Sequence, residues 1–414
     1  MELMNQPFSG QLGDRLIELL DSADYHTLNV AVAFAKNSGV LRVKDAFSHF
    51  RERGGSVNVY VGVDLGGTSY EALTTLRLHT DSLNVVHSER GQTFHSKIYQ
   101  FSGEKSGLLV VGSHNLTAGG LWTNFESSVH IPIDGEKAAE AKMTKEMGDY
   151  FQELAGLATS FMPITSQDVI ERLLDEGYVT KEVADRVRRA SDAKRDGSKE
   201  RLFGNVALAK LPRLTSTKQE GQTETKVASP EVPTPTDTAT VNAEDSNQTI
   251  WFETREMTGG SRNILDLSKK SLVESGNPTG TPFDLGEAGF MRGGVEFFGL
   301  NPTATDQTAN ITIHFEGQDY SENTILYPEG NNANGTWRLQ IKGKNSSSQK
   351  ITDAFRTEGR ANYLVRKIVT FTKVTDDYYY LSVFPDSDLE EFKEASNIVA
   401  RNGSSRNARF LGLI

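Results

Sequence analysis

Apolar positions in the first half of the chain follow two alternating spacings. Leu12, Leu16, Leu19 and Leu20 recur at helical spacing and predict a helix over Leu12–Ala23. Leu28–Phe34 is an apolar run of strand length, and Ser56–Val63 is a second. Between them a helix is expected over Val40–Arg53, stopped by Gly54 and Gly55. Asp64-Leu-Gly-Gly reads as a plain turn, because the Lys-Ser/Thr of a phosphate-binding loop is missing. Tyr70–Leu78 reads as a helix, and short strands are expected near Leu83–Val86, 94–101, 107–112 and 126–133. A long helix over Lys137–Leu157 follows, then a helix pair with Ser166 and Thr180 as N-caps. Strands alternating with helices imply an α/β layered domain, a mixed sheet flanked by helices, over residues 1–200.

The pattern then breaks. Arg186–Lys199 is charged, and Thr215–Asn247 is rich in Ser, Thr, Pro and Glu, with Pro230, Pro233 and Pro235 close together. Such a stretch cannot bury enough apolar surface to offset its chain entropy, so residues 201–248 are expected to be a linker. From Trp251 the texture is β-branched and aromatic, punctuated by Gly and Asn turns. Strands are expected at 249–254, 294–298, 310–315, 336–342, 364–374 and 377–384, with a closing helix over Leu389–Ala400. This predicts an all-β barrel or sandwich over residues 249–414. Tyr378, Tyr379 and Tyr380 fit strand packing better than a base-stacking platform.

Composition narrows the chemistry. The 414 residues contain no cysteine, which removes thiolate nucleophiles and Cys-ligated zinc. No basic segment leads an apolar run at the N-terminus, and no apolar stretch approaches the roughly 20 residues that span a bilayer. A soluble, cytoplasmic protein without a membrane partner is therefore expected. The net charge of −11 argues against a globally basic nucleic-acid binder, although a local basic groove is compatible with it.

Candidate chemistry concentrates in one stretch. His95 and Lys97 lie two apart on the alternating run Thr93–Phe101, which would put an imidazole and an ammonium on one face of a strand. The next run ends in Gly112, Ser113 and Asn115, and Asn124-Phe-Glu126 follows. Taken singly, each has a plainer reading. His95 suits a satisfied strand histidine, Lys97 a solvated lysine, Asn115 the cap of a helix starting at Leu116, and Glu126 an outward strand residue. Together they supply an imidazole nucleophile, a fixed cation and amide donors, which a metal-free phosphodiester site needs.

His-x-Lys, then Gly-Ser-x-Asn, then a downstream Glu resembles the phospholipase D superfamily signature. The resemblance is closer to its single-motif nuclease branch, the NgoFVII/BfiI-type restriction endonucleases. It covers roughly residues 10–160. Many superfamily members carry an Asp shortly after the Lys; Ile98–Ser102 has none, as in the restriction-enzyme branch. The resemblance implies His95 as nucleophile, Lys97 and Asn115 holding non-bridging oxygens, Ser113 as a further donor, and Glu126 accepting from His95 to set its tautomer. It implies no metal and no cofactor. A second His-x-Lys with a following Gly-Ser-x-Asn is not found, so a homodimer through the nuclease domain is implied, with two His95 facing each other. His114 and His130 are the nearby histidines.

Two polar segments stand out in the second half. Arg255–Leu267 carries Ser261, Arg262 and Asn263 beside Gly259-Gly260. Trp337–Lys350 carries Arg338, Lys342, Lys344, Asn345, Ser346, Ser347 and Gln349. Lys and Ser suit phosphates, and Arg, Asn and Gln suit base edges. Alone, both also read as ordinary polar hairpin loops. Their order resembles the two DNA-reading arms of plant "B-three" domains, a β-pseudobarrel that BfiI-like enzymes carry after the nuclease domain.

The combined expectation is a sequence-specific restriction endonuclease acting on double-stranded DNA. Alternatives are a phosphodiesterase or phospholipase on another substrate, and a nuclease subunit that works with a separate helicase-like ATPase, since this chain has no Walker-type loop.

Overall fold

The computed structural model describes residues 1–195, 210–212, 240–242, 248–256, 262–329, 335–359 and 362–414. Most of the expected linker, and Ser261, lie outside the described residues. The chain divides into two compact units, with the boundary in sequence near residue 210.

The first unit is built on an eight-stranded sheet. Its strands are β1 (Glu2–Gln6), β2 (Thr27–Val32), β3 (Ser56–Gly62), β4 (Ser82–Val86), β5 (Lys97–Ser102), β6 (Ser106–Gly112), β7 (Glu126–Asp134) and β8 (Phe161–Pro163). Its helices are α1 (Leu12–Asp21), α2 (Asn37–Glu52), α3 (Tyr70–His79), α4 (Ala138–Ala155), α5 (Gln167–Asp175) and α6 (Glu182–Arg195). The sheet order is β1-β7-β6-β5-β2-β3-β4-β8. β2, β3 and β4 run parallel, and β5, β6, β7 and β1 continue antiparallel from β2.

Alternation along the strands feeds both faces. Leu28, Val30 and Val32 point to one face and are fully buried. Ala31 points to the other, where it packs with Val86 against Phe151 and Leu154 of α4. Ser69 caps α3 by accepting from the Ala72 amide at 3.2 Å. The expected caps differ: Ser166 makes no side-chain bond to α5, and the Thr180 hydroxyl is buried without a partner among the described residues. Strands β1 and β8 carry too little apolar pattern to announce themselves.

A carboxyl pair is buried where α2, α3 and α6 begin. The Glu182 carboxylate accepts from the Asn37 amide and from Ser69 Oγ, the latter at 2.8 Å. The Glu182 amide donates to Glu71 at 3.1 Å. Burial, then the Glu182 charge, pushes the Glu71 carboxyl up to about 7. A carboxyl whose folded value lies above its unfolded one holds its proton more tightly when folded. Its ionisation therefore costs nothing below the unfolded value and weighs fully against the fold above about pH 7. Glu71→Gln is expected to stabilise the protein at pH 8.5, by on the order of 2–3 kcal/mol, and to lose that advantage by pH 4. Guanidinium midpoints at the two pH values check this; a pH-independent difference would sink it.

The second unit is built on an eleven-stranded sheet ordered β12-β17-β16-β15-β19-β18-β11-β21-β20-β13-β14. Short β9 (Lys210–Pro212) and β10 (Thr240–Asn242) pair with each other. The large sheet holds β11 (Thr249–Glu253), β12 (Ile264–Leu267), β13 (Lys270–Ser275), β14 (Phe290–Arg292), β15 (Thr308–Phe315) and β16 (Gln318–Leu326). It continues with β17 (Trp337–Gln340), β18 (Lys367–Thr375), β19 (Tyr378–Pro385), β20 (Ile398–Arg401) and β21 (Phe410–Leu413). Helices α7 (Ile351–Gly359) and α8 (Leu389–Ala395) complete it. Pairing is antiparallel except between β15 and β19, and among the described residues β12 and β14 do not pair to close a barrel.

Two expectations are corrected. The apolar stretch Gly294–Phe298 is a 3₁₀ turn, ended by left-handed Gly299. The closing helix stops at Ala395, and Ile398 starts a strand. Tyr378, Tyr379 and Tyr380 are all buried in central strand β19.

Candidate active site and nucleic-acid groove

Strand direction brings the candidate residues to one end of the first sheet. β5 runs antiparallel to β2, so Lys97 at its start faces Val32 at the end of β2. β6 ends at Gly112 opposite Ser128, and Glu126 at the start of β7 pairs with Gln6 at the end of β1. Five chain segments thus share one sheet edge.

His95 is exposed and sits two residues before β5, not within it. The expected shared strand face is replaced by direct contact. Lys97, 8% exposed, brings its Nζ 2.7 Å from His95 Nδ1, 3.1 Å from His95 Nε2 and 3.0 Å from the His95 carbonyl oxygen. An ammonium donates and never accepts, so in these contacts Lys97 is the donor. Burial pulls the Lys97 ammonium below its ordinary range, and the charge of Glu126 acts in the opposite direction. The ring of Phe34 meets His95 edge-on, with centroids 6.0 Å apart.

Asn115 does not cap a helix. Its Oδ1 accepts from the Phe34 amide at 3.1 Å, which leaves its Nδ2 without a protein partner among the described residues. The loop that carries it is strapped to the chain after β2: Leu116 N donates to Phe34 O at 3.0 Å, and Lys36 N to Leu116 O at 3.0 Å. Two glycines permit this packing. A Cβ on Gly39 would lie 2.6 Å from the Thr117 backbone, and one on Gly120 2.3 Å from the Asn115 carbonyl oxygen.

Ser113 and Glu126 form a second group. The Glu126 carboxylate accepts from Ser113 Oγ and, at 3.1 Å, from Asn124 Nδ2. The expected hydrogen bond from His95 to Glu126 is not made; Lys97 is the side chain that bonds the imidazole. The structure therefore brings together His95 with Lys97, and Ser113 with Glu126, with Phe34 joining His95 to Asn115.

Three buried residues behind the site escaped the sequence reading as structural parts. Gln6 is 1% exposed and donates through Nε2 to the carbonyls of Gly119, Gly120 and Asn124 at 3.3, 3.3 and 3.1 Å. No sequence signal marks a glutamine for this task. His114 is bonded to Gly120 O at 2.8 Å and to Ser128 Oγ at 3.1 Å, and Ser128 Oγ is 3.1 Å from His130 Nε2. Burial lowers both imidazoles, so they serve as neutral packing groups.

In the second unit, Asn263, Lys342 and Lys344 line one groove of about 750 Å³ with Gln340, Lys350 and Glu322. Lys342 Nζ donates to Gln340 at 2.9 Å. Arg255 and Arg338 gather elsewhere, both beside Asp266, at 3.0 and 3.9 Å. Arg262 is half-buried, and its Nε has no partner among the described residues. Asn345 is spent inside its own loop: its Oδ1 accepts from the Ser347 and Gln349 amides at 3.1 and 2.9 Å, and its Nδ2 donates to Gln349 Oε1 at 3.1 Å. Ser346 and Ser347 are exposed at the tip of that turn.

No protein-family model matches the chain. No curated protein matches it either. Solved structures do. The phospholipase D family member Nuc from Salmonella typhimurium aligns at 15% identity and a TM-score of 0.30, over 40% of this chain and 97% of its own. NucT from Helicobacter pylori aligns at 16% identity and a TM-score of 0.27, over 39% of this chain and 98% of its own. Phosphatidylserine synthase from Haemophilus influenzae aligns at 12% identity and a TM-score of 0.33, over 47% of this chain and 46% of its own. No helix among the described residues is long and apolar enough to cross a membrane. No group of three or more His, Asp or Glu side chains among them is placed to hold a metal.

Proposed function

We propose that this chain is a sequence-specific restriction endonuclease of the phospholipase D superfamily. It hydrolyses DNA phosphodiesters without a metal, through a phosphohistidine at His95. The observation that carries this reading is the imidazole of His95 held 2.7 Å from the buried Lys97 ammonium, with Phe34 between it and Asn115, whose Nδ2 is unspent among the described residues. One ring nitrogen of His95 attacks phosphorus. The N–P bond forms, the P–O bond to the leaving strand breaks, and the leaving oxygen takes a proton. Lys97 and Asn115 hold the non-bridging oxygens, whose charge rises in the pentacoordinate state. Water then attacks phosphorus, its proton passes to the base left by the first step, the N–P bond breaks and His95 is restored. The proton donor comes from His95 of the partner subunit in a homodimer. Ser113 and Glu126 fix the far wall of the site through their mutual hydrogen bond. The groove of the second unit reads the target, with Lys342 and Lys344 on phosphates and Asn263 on a base edge.

Plasmid cleavage by the full chain in EDTA tests both halves. Discrete fragments from wild type are expected. Lys342→Ala with Lys344→Ala is expected to weaken DNA binding and to flatten its salt dependence by roughly 0.9 per lost phosphate contact. A smear from wild type would overturn the specific reader. Unchanged binding by the double variant would remove the groove from the DNA interface. Cleavage only after a helicase-like ATPase is added would make the chain a subunit of a larger machine.

A further inference from the structure

The turn after β3 holds more than a change of direction. Asp64 Oδ1 is 3.0 Å from His87 Nδ1, and Asp64 Oδ2 accepts from the Phe94 amide at 3.2 Å. His87 is the first residue after β4, and Phe94 immediately precedes His95. One carboxylate, with its side chain 10% exposed, thus bonds both ends of the segment that delivers the imidazole. His87 is held in turn by its own amide, which donates to Ser160 O at 3.0 Å, and by the edge of the Tyr178 ring, 5.4 Å between centroids. The segment lies close on β3: a Cβ at Gly62 would be 3.1 Å from the Phe94 carbonyl oxygen. The turn itself is forced. Leu65 has φ 57° and its side chain points into solvent at 87% exposure, so the residue gains no packing from a conformation that costs a non-glycine residue roughly 1–2 kcal/mol. Contacts on either side must fix it, and those of the Asp64 carboxylate stand among them, with Lys36 Nζ donating to Gly66 O and Gly67 N to Asp64 O, each at 3.0 Å.

We propose that Asp64 is the positioning residue of the active site: its two oxygens staple residues 87 and 94 together and thereby set where His95 stands against Lys97. This rests on the reading of His95 as nucleophile. Asp64 touches no reacting atom. It acts by restricting the ring to the attacking geometry, where a displacement of about 1 Å costs up to about a hundredfold in rate.

The test uses the full chain and bis(4-nitrophenyl) phosphate as the diester. Asp64→Ala is expected to lower kcat by about ten- to a hundredfold with KM within about twofold of wild type. Asp64→Asn keeps an oxygen for the Phe94 amide and is expected to recover most of the loss. Amide hydrogen exchange on the same proteins gives a readout independent of turnover: Asp64→Ala should lose protection over residues 87–96 and keep it elsewhere. Wild-type kcat in Asp64→Ala overturns the proposal. So does unchanged protection at 87–96, or protection lost across the whole unit, which would make Asp64 a fold residue. No turnover by wild type on this diester or on DNA would overturn the nuclease reading instead, and the exchange experiment would still decide whether the staple exists.

Discussion

His95→Ala is expected to abolish phosphodiester cleavage, by on the order of 10⁴-fold or more, while the protein melts as wild type does. The expected size follows from the role proposed for it. Removing a nucleophile eliminates the covalent route entirely, whereas removing a neighbour only weakens it. The unchanged melting follows from the position. His95 is exposed, precedes the strand and touches Lys97 and Phe34, so truncation opens no core cavity. A second readout separates a nucleophile from a general base. Wild type quenched during turnover of labelled DNA should carry label on the peptide holding His95, stable in base and lost in acid. Cleavage that survives in His95→Ala, or label found on another residue, would sink the mechanism.

Lys97→Met is expected to lose about 10²–10³-fold in kcat, the cost of one preorganised charge-stabilising group. The variant separates catalysis from structure because the two respond in opposite senses. Lys97 is buried with its ammonium desolvated, which the depressed affinity for its proton records. A methionine of similar length removes that burden and should melt at or above the wild-type temperature. Lys97→Arg should not restore activity, because the planar guanidinium cannot occupy the compact position between both ring nitrogens and the His95 carbonyl. Wild-type activity should also fall on the alkaline side below the pH at which an ordinary lysine titrates, because burial lowers the value at which Lys97 loses its charge. An activity loss in Lys97→Met that tracks a loss of thermal stability would place Lys97 in the scaffold.

The pairing of His95 with Lys97 was legible in sequence from two-residue spacing, but its geometry was not. The alternation from Thr93 to Phe101 outruns the strand. Pairing stops at Lys97 because its partner strand β2 ends opposite, at Val32, and a residue with nothing to pair with leaves the sheet. The same limit applies to Glu126. Its distance from Ser113 in sequence says nothing of their contact, which depends on the β6–β7 register. In the second half, β16 was missed because its buried positions include Asn323 beside Tyr320 and Ile325, and a polar residue in the buried set hides the period. Asn323 belongs inside because it donates to Tyr320 O at 2.7 Å and its oxygen accepts from Gly343 N at 2.8 Å, the second a bond that only the assembled unit supplies. The loop of Asn345 was read as reaching outward; its own Asx turn consumes the side chain instead.

Gln6 has a consequence for the life of a newly made chain. The carbonyls it holds lie 113, 114 and 118 residues further along the sequence. Joining segments so far apart carries a large closure entropy, met only after nearer contacts have gathered the sheet. The loop behind Asn115 therefore sets late. On the ribosome, the imidazole and ammonium emerge before the strand that begins at Glu126 can close beside them. A half-made molecule therefore carries His95 and Lys97 in an unassembled cleft, without the wall that Ser113 and Glu126 build.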